Sequence, residues 1–231
     1  MPDNSRDDLE RLLETWAAKP ETQLRPDMER KLESGLGAQL LPVRPLPSQG
    51  GLALIFLAIF AACAAGLIAV LDKAGFHLMS GAQIAWMTAI LTGGGILFSL
   101  ALARRMAPGS RPLFPGWLIL SSFGAAAGFA LLFPWRASHD FISEGWPCAA
   151  MELAIAVPAI AVFWLVARRG ALFASAGLGA VLTGLAAFLA LAPLQFQCMF
   201  QQAPHLLVWH AGTAAVLIGL GAIAGGLRRL V

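Results

Sequence analysis

The chain has 231 residues, 58% of them hydrophobic and only 13% charged, and its mean hydropathy is +0.72. A soluble domain carries about 25% charged residues, so this composition argues against one. The net charge of +3 and a pI near 9.1 raise nucleic acid or anionic lipid as partners, a question that the distribution of the charges decides. Three cysteines are too few for a disulfide scaffold.

The first 49 residues form a charged arm with seven Lys or Arg and nine Asp or Glu. Their pattern predicts two short amphipathic helices separated near Pro20, and then a stiff Pro-rich tether over 41–47. The apolar stripes consist of Leu9, Leu12, Leu13 and Trp16 in the first helix and Met28, Leu32, Leu36 and Leu40 in the second. Such short helices form no core alone, so the stripes indicate docking into a partner's groove. A mostly disordered tail and helices on the membrane surface are the alternatives, the latter disfavoured by the acidic balance.

From residue 50 onward the chain consists of long apolar stretches. A membrane-spanning helix needs roughly 20 mostly apolar residues. Six stretches meet this requirement, at about 51–71, 83–103, 115–134, 148–167, 173–193 and 205–227. Their apolar residues are continuous rather than alternating, which favours helices over strands. We therefore predict an all-α polytopic membrane protein, with a cytoplasmic helical arm over 1–49 and six transmembrane helices within 50–231.

The basic residues predict how the protein is oriented, because cytoplasmic loops are enriched in Lys and Arg. Fourteen of them fall on one face, and only Lys73 and Arg136 fall on the other. The basic face comprises the arm together with Arg104, Arg105, Arg111, Arg168, Arg169, Arg228 and Arg229. This places both termini in the cytoplasm. The basic pI therefore reflects topology and gives no support for direct binding of nucleic acid.

Two cysteines fall near the opposite, outer face. Cys148 follows Trp146-Pro147 at the expected start of the fourth helix, and Cys198 lies in an expected polar outer loop. Both would face the oxidising side of the membrane, where a disulfide could persist. The helix dipole at Cys148 would lower its thiol pKa, an effect that Asp140 and Glu144 would oppose. A redox-responsive pair is favoured over two inert thiols.

Glu152 lies one helical turn from Cys148 on the same face. A carboxylate within a membrane helix is a functional candidate by default. Near the outer interface, a structural hydrogen bond and a proton-relay or coupling role are both open. A small membrane transporter using Glu152 is therefore the alternative function.

Other kinds of chemistry have little support in the sequence. His205 and His210 flank Trp209 at the outer end of the sixth stretch, with no second deep histidine for haem. The two cysteines, even with His139, fall short of the four ligands of a structural zinc site. No nucleophile motif, phosphate loop or metal-ligand cluster is apparent. We predict a protein that is not an enzyme and holds no cofactor or metal.

Three patches of sequence resemble the NrsF-like membrane anti-sigma factors, named as negative regulators of sigma F. The first is Leu36-Gly37-Ala38-Gln39-Leu40-Leu41-Pro42-Val43-Arg44-Pro45-Leu46. The second runs from Gly145-Trp146-Pro147-Cys148 to Arg168-Arg169-Gly170-Ala171, and the third is Cys198 followed by His205-Leu206-Leu207-Val208-Trp209-His210. Their order and spacing relative to six spans are more specific than any one patch, and the resemblance extends from about residue 36 to the C-terminus.

The resemblance implies a six-span protein of the bacterial inner membrane whose N-terminal segment holds an extracytoplasmic-function sigma factor inactive. It also implies that the two outward cysteines, here Cys148 and Cys198, take part in sensing oxidative or metal stress. The lipid bilayer and the sigma factor are then the partners. About 30 residues precede Leu36, more than is usual in the family, so the helix over Leu9 to Trp16 is either part of the docking surface or an accessory.

Overall fold

A computed structural model of the protein describes residues 11, 14–15, 27, 30–31, 47–71, 73–107, 115–136, 138–168 and 175–227, with 115–123 described by their backbone alone. The chain divides into two compact units, residues 1–45 and 46–231. In the first unit the described residues are helical, and the Thr15 hydroxyl donates a hydrogen bond of 2.6 Å to the Arg11 carbonyl. The predicted docking residues lie outside the described residues, so docking through them stays a prediction. They are Leu9, Leu12, Leu13, Trp16, Met28, Leu32, Leu36 and Leu40.

The second unit is a bundle of long helices, and no strand occurs among its described residues, which confirms the all-α class. In chain order the helices are α1 Gln49–Val70, α2 Gly81–Met106, α3 Pro115–Leu132, α4 Phe141–Ala167, α5 Ala176–Gln197 and α6 Ala203–Leu227. A 3₁₀ segment, Ala74–Leu78, connects α1 to α2, and α6 contains a π-helical segment, Leu206–Ala211. By length and composition, five helices among the described residues can cross a membrane, namely α1, α2, α4, α5 and α6.

Serine side chains fix the starts of three helices. The Ser48 hydroxyl accepts a hydrogen bond from the Gly51 amide at the start of α1. At the start of α2, Ser80 and Gln83 form a reciprocal capping box. Ser175 caps α5 by accepting from the Leu178 amide at 3.1 Å. These bonds satisfy amides that have no partner within the helix, so each helix begins at a defined residue.

Helix α5 is the centre of the bundle. In its most apolar stretch 78% of the residues are buried, against 22% to 33% in the other four candidate spans. It contacts α1, α2, α4 and α6. Its small and aliphatic residues let four helices approach it, because membrane helices associate through close van der Waals packing. The residues at the end of α5 are therefore held by the whole bundle.

Glycines allow the closest of these approaches, between α5 and α6. A Cβ atom on Gly179 would overlap the Gly221 carbonyl oxygen, and one on Gly225 would overlap the Ser175 carbonyl oxygen. Gly221 and Gly225, four residues apart in α6, thus form a small-residue packing surface against α5. Gly124 and Gly128 of α3 have the same spacing but different surroundings. Gly128 packs against the Trp86 ring, whereas Gly124 has nothing within 4 Å.

Two helix boundaries differ from the prediction, and prolines account for both. Helix α4 begins at Phe141 rather than near residue 148, and it continues through Pro147. Helix α5 continues through Pro193 to Gln197 instead of ending there. A proline inside a membrane helix removes one hydrogen bond but keeps a helical φ, and neighbouring helices stabilise the segment. As a result, Cys148 lies two turns inside α4, and Cys198 directly follows α5.

We predict that Gly221→Ala lowers the stability of the bundle by about 1–3 kcal/mol, the usual cost of overpacking. Its added methyl group would overlap Thr183 on α5. Gly219→Ala is the matched control, because Gly219 lies on the exposed side of the same helix with nothing within 4 Å. Thermal unfolding in detergent should show a lower midpoint for Gly221→Ala alone. Equal midpoints would contradict the packing of α6 on α5.

Candidate functional site

Four side chains with metal-binding or redox-active atoms converge at one end of the bundle. They are Cys148 of α4, Cys198 after α5, and His205 and His210 of α6, and their ligand atoms all lie within 4.8 Å of one another. Cys198 and both histidines are buried, and Cys148 is half-buried. We call these four residues the thiol–imidazole cluster. Both cysteines predicted as site residues belong to it.

The two thiols are in contact. Cys148 Sγ and Cys198 Sγ are 3.8 Å apart, and both residues are free cysteines. Cys148 Sγ also lies 3.9 Å from the Glu144 carbonyl oxygen, one turn earlier in α4. The prediction that the helix dipole lowers the pKa of Cys148 is wrong. The dipole acts within the first turn of a helix, and Cys148 is the eighth residue of α4.

A short turn after α5 fixes the position of Cys198. The Gln201 side-chain amide donates to the Cys198 carbonyl at 2.6 Å and to the Gln195 carbonyl at 3.2 Å. From the α1–α2 connection, Gly75 lies so close that a Cβ atom there would overlap the Cys198 carbonyl oxygen. The polar loop expected around Cys198 is therefore a hydrogen-bonded turn that buries Cys198 and Gln201 and exposes Met199.

The π-helical segment brings the two histidines to the same side of α6. In an α-helix, residues five apart point about 140° away from each other. In the π-helix, hydrogen bonds join residues five apart, and here the Gly212 amide donates to the Leu207 carbonyl. The His205 and His210 rings consequently lie 5.4 Å apart between centroids, at 70°. His205 Nε2 is 3.5 Å from Cys198 Sγ.

Several polar atoms around the cluster have no hydrogen-bond partner among the described residues. They are both ring nitrogens of His210, Nδ1 of His205, both carboxylate oxygens of Glu152 and the side-chain oxygens of Gln195 and Gln201. Glu152 is fully buried, one turn further along α4 from Cys148. Cys198 lies just after the end of α5. Its hydrogen bond with Cys148 and its burial raise the pKa of the Cys198 thiol above its usual range. Buried polar groups without partners are rare in proteins and point to a functional location.

The sequence analysis did not anticipate the histidines. His205 and His210 were considered only as haem ligands and were set aside because the sequence has no second deep histidine. The signal that could have found them is the pair of imidazoles five residues apart, close in the chain to a cysteine. By contrast, His139 lies in an exposed turn and is not a member of the cluster.

The cluster supports two kinds of chemistry. Two thiols in contact can form a disulfide if their sulfur atoms close to about 2.05 Å. Two thiolates and two imidazoles are also a common ligand set for a tetrahedral metal ion such as zinc. Either event would connect α4 to the turn after α5.

The fold is an all-helical bundle with several helices apolar and long enough to span a membrane, as in a helical membrane protein. The chain belongs to the NrsF family, described as negative regulator of sigma F, whose family model matches residues 36–229. It is thus a member of an anti-sigma factor family, which implies a sigma factor as its partner. The resemblance inferred from the sequence is confirmed, and the match includes the whole cluster. Comparison with curated proteins and with solved structures gives no significant match.

We predict that Gly75→Ala slows disulfide formation between Cys148 and Cys198 several-fold. The added methyl group would push the Cys198 carbonyl away and disturb the turn that Gln201 holds. The measurement is peptide mapping after treatment of the detergent-solubilised chain with diamide, in a Cys63→Ser background.

Gly81→Ala is the control, because Gly81 has nothing within 4 Å. It should form the disulfide at the rate of the parent chain. Equal rates for the two alanine variants would show that Gly75 does not position Cys198.

Proposed function

We propose that this protein is an anti-sigma factor of the bacterial inner membrane that holds an extracytoplasmic-function sigma factor inactive. Oxidative or metal stress, sensed at Cys148 and Cys198, releases the sigma factor. The family match supports the anti-sigma role. The observation that carries the sensing role is the 3.8 Å contact between the two thiols.

The proposed topology has six transmembrane helices with both termini in the cytoplasm and the thiol–imidazole cluster at the outer face. Two features support it: the concentration of Lys and Arg in alternate connections, and the location of all four cluster residues at one end of α4, α5 and α6. The cluster would then face the oxidising side of the membrane, where a disulfide can persist. The protein acts in this proposal as a regulator and not as an enzyme.

The oxidative branch of the proposal has a simple balance. A peroxide or disulfide oxidant takes two electrons and two protons from the two thiols. Its O–O bond breaks to give water and an alcohol or a second water, or its S–S bond breaks to give two thiols, and one S–S bond forms between Cys148 and Cys198. Closing the sulfurs from 3.8 Å draws α4 toward the turn after α5. For release to follow, the oxidised state must favour a different arrangement of the cytoplasmic side, because a signal shifts an equilibrium only by its differential effect on the two states.

The charged arm supplies the proposed docking surface. Its apolar stripes suit a helix-in-groove interaction with the sigma factor, and its net acidic balance suits a partner with a basic surface. The residues proposed to make contact are Leu9, Leu12, Leu13, Trp16, Met28, Leu32, Leu36 and Leu40.

Glu152 has a proposed coupling role between the cysteines and the centre of the bundle. It is fully buried beside α5 and one turn from Cys148, so a change at the thiols alters its surroundings directly. The alternative function, a small transporter, would need a polar route past this carboxylate. The cavities along α4, one between α1 and α4 and one beside α5 and α6, are lined mainly by apolar side chains and not by Glu152.

We expect the Cys148→Ser, Cys198→Ser double variant to keep the sigma factor bound and to lose induction by oxidative or metal stress. Serine cannot form a disulfide, while the arm is unchanged. The measurement is transcription from a promoter that depends on the sigma factor, together with co-purification of the sigma factor from membranes. Cys63→Ser is the control, because Cys63 is an exposed residue of α1 outside the cluster. Normal induction in the double variant would refute the sensing role.

A second prediction concerns the arm in the full-length chain. Replacing Leu12 and Trp16 with Ser should weaken capture of the sigma factor by about 2 kcal/mol or more, roughly 30-fold, because buried aromatic anchors dominate such interfaces. Glu14→Ala is the control, since Glu14 lies between the two positions in the sequence and its own side chain is exposed. The measurement is affinity for the purified sigma factor. If the wild-type chain captures no sigma factor, the anti-sigma proposal fails.

A further inference from the structure

We propose that Cys148, Cys198, His205 and His210 together bind one thiophilic divalent metal ion, such as Zn²⁺, in a tetrahedral site. Metal binding by these four residues is a property of the cluster itself. Its use as a release signal rests on the proposed anti-sigma function.

The distances in the cluster match those of a tetrahedral zinc site. With Zn–S bonds of about 2.3 Å and Zn–N bonds of about 2.05 Å, a tetrahedron has S···S edges of about 3.8 Å and S···N edges of about 3.6 Å. The Cys148 and Cys198 sulfurs are 3.8 Å apart, and Cys198 Sγ is 3.5 Å from His205 Nε2. All four ligand atoms lie within 4.8 Å of one another, so small side-chain adjustments suffice to complete the site.

A π-helical segment of the backbone holds this arrangement. π-Helical segments are rare, and they occur frequently at functional sites. Here Leu206–Ala211 sets His205 and His210 side by side, and the Thr213 hydroxyl donates to the Trp209 carbonyl at 2.7 Å. An ordinary α-helix through the same residues would direct the two imidazoles to different sides of α6.

The histidines also have buried ring nitrogens without hydrogen-bond partners among the described residues. Both are buried, and neither ring nitrogen of His210 has a hydrogen-bond partner in the part of the chain that the structure describes. Only neutral imidazole presents a lone pair to a metal. A buried imidazole without partners is costly unless something occupies its lone pair.

Charge balance favours a divalent ion. As the ion binds, the two thiols lose two protons to solvent, and two thiolates and two neutral imidazoles then surround a charge of +2. The complex has no net charge, which suits a site where Cys198, His205 and His210 are almost fully buried. A net charge at the same location would carry a large desolvation cost.

Metal binding and disulfide formation exclude each other at this site. A disulfide has no thiolate to offer, so oxidation would expel the ion, and a bound ion would protect both sulfurs from oxidation. The two signals proposed for this family member thus act on the same two cysteines through different bonds.

The test uses the full-length, reduced chain in detergent, with Zn²⁺ alone and a competing chelator. We expect one zinc ion per chain, two protons released per ion and an X-ray absorption spectrum with two sulfur and two nitrogen neighbours. Cys148→Ser, Cys198→Ser, His205→Ala and His210→Ala should each weaken binding by more than the roughly 10–100-fold that follows loss of an outer-shell group. Cys63→Ser and His139→Ala are the matched controls and should bind like the parent.

Folding of each variant is checked by its thermal unfolding without metal, and Co²⁺ substitution gives an independent spectrum of thiolate coordination. Absence of zinc binding by the reduced parent chain would refute the site. Zinc binding that is unchanged by both histidine variants would also refute it. These failures leave the sensing role open, because the cysteine variants still test it. Conversely, the chain could bind zinc through all four residues and still retain the sigma factor when zinc is present. That result would support the metal site and refute zinc as the release signal.

Discussion

The burial of α5 is the constraint on which the rest of this structure depends. Four helices pack around it, and α6 approaches it so closely that backbone atoms face backbone atoms at Gly179, Gly221 and Gly225. A helix held on every side has a fixed end, and Cys198 is the residue that follows that end. Because α4 and α6 both pack on α5, their residues at the same level meet Cys198, so the thiol–imidazole cluster is a consequence of how the central helix is packed.

The cluster has a fixed position but an incomplete set of hydrogen bonds. Hydrogen bonds from Gln201 and the close approach of Gly75 hold Cys198, whereas the imidazole of His210 and the carboxylate of Glu152 have no hydrogen-bond partners among the described residues. A fold stabilised elsewhere by its central helix can retain such groups, because their cost is small relative to the packing of the whole bundle. The anti-sigma family supplies a reason to retain them, since a regulator needs a region whose bonding changes when a signal arrives.

Much of the fold was predictable from the sequence, because long apolar stretches have few alternatives to a helix. Each predicted stretch corresponds to a helix. The boundary errors occur at Pro147 and Pro193, because a proline usually ends a helix in a soluble protein, whereas both helices continue through their prolines in this bundle. The cysteines were also predictable as a pair, since alternate connections fall at the same end. The histidines were not predicted, because two residues five apart meet only in the π-helical segment Leu206–Ala211, and helix rules assume an α-helix there.

The two cysteines of the cluster differ in their exposure, which sets the side from which a reagent approaches. Cys198 is 5% exposed and closed in by its turn, whereas Cys148 is half-buried. A molecule arriving from outside the bundle therefore encounters Cys148 before it encounters any other cluster residue. Bond formation would proceed inward from α4, with Cys198 as the thiol that completes the reaction and the histidines as the innermost members. Each event at the cluster thus has an entry point and an order, and the order follows from packing alone.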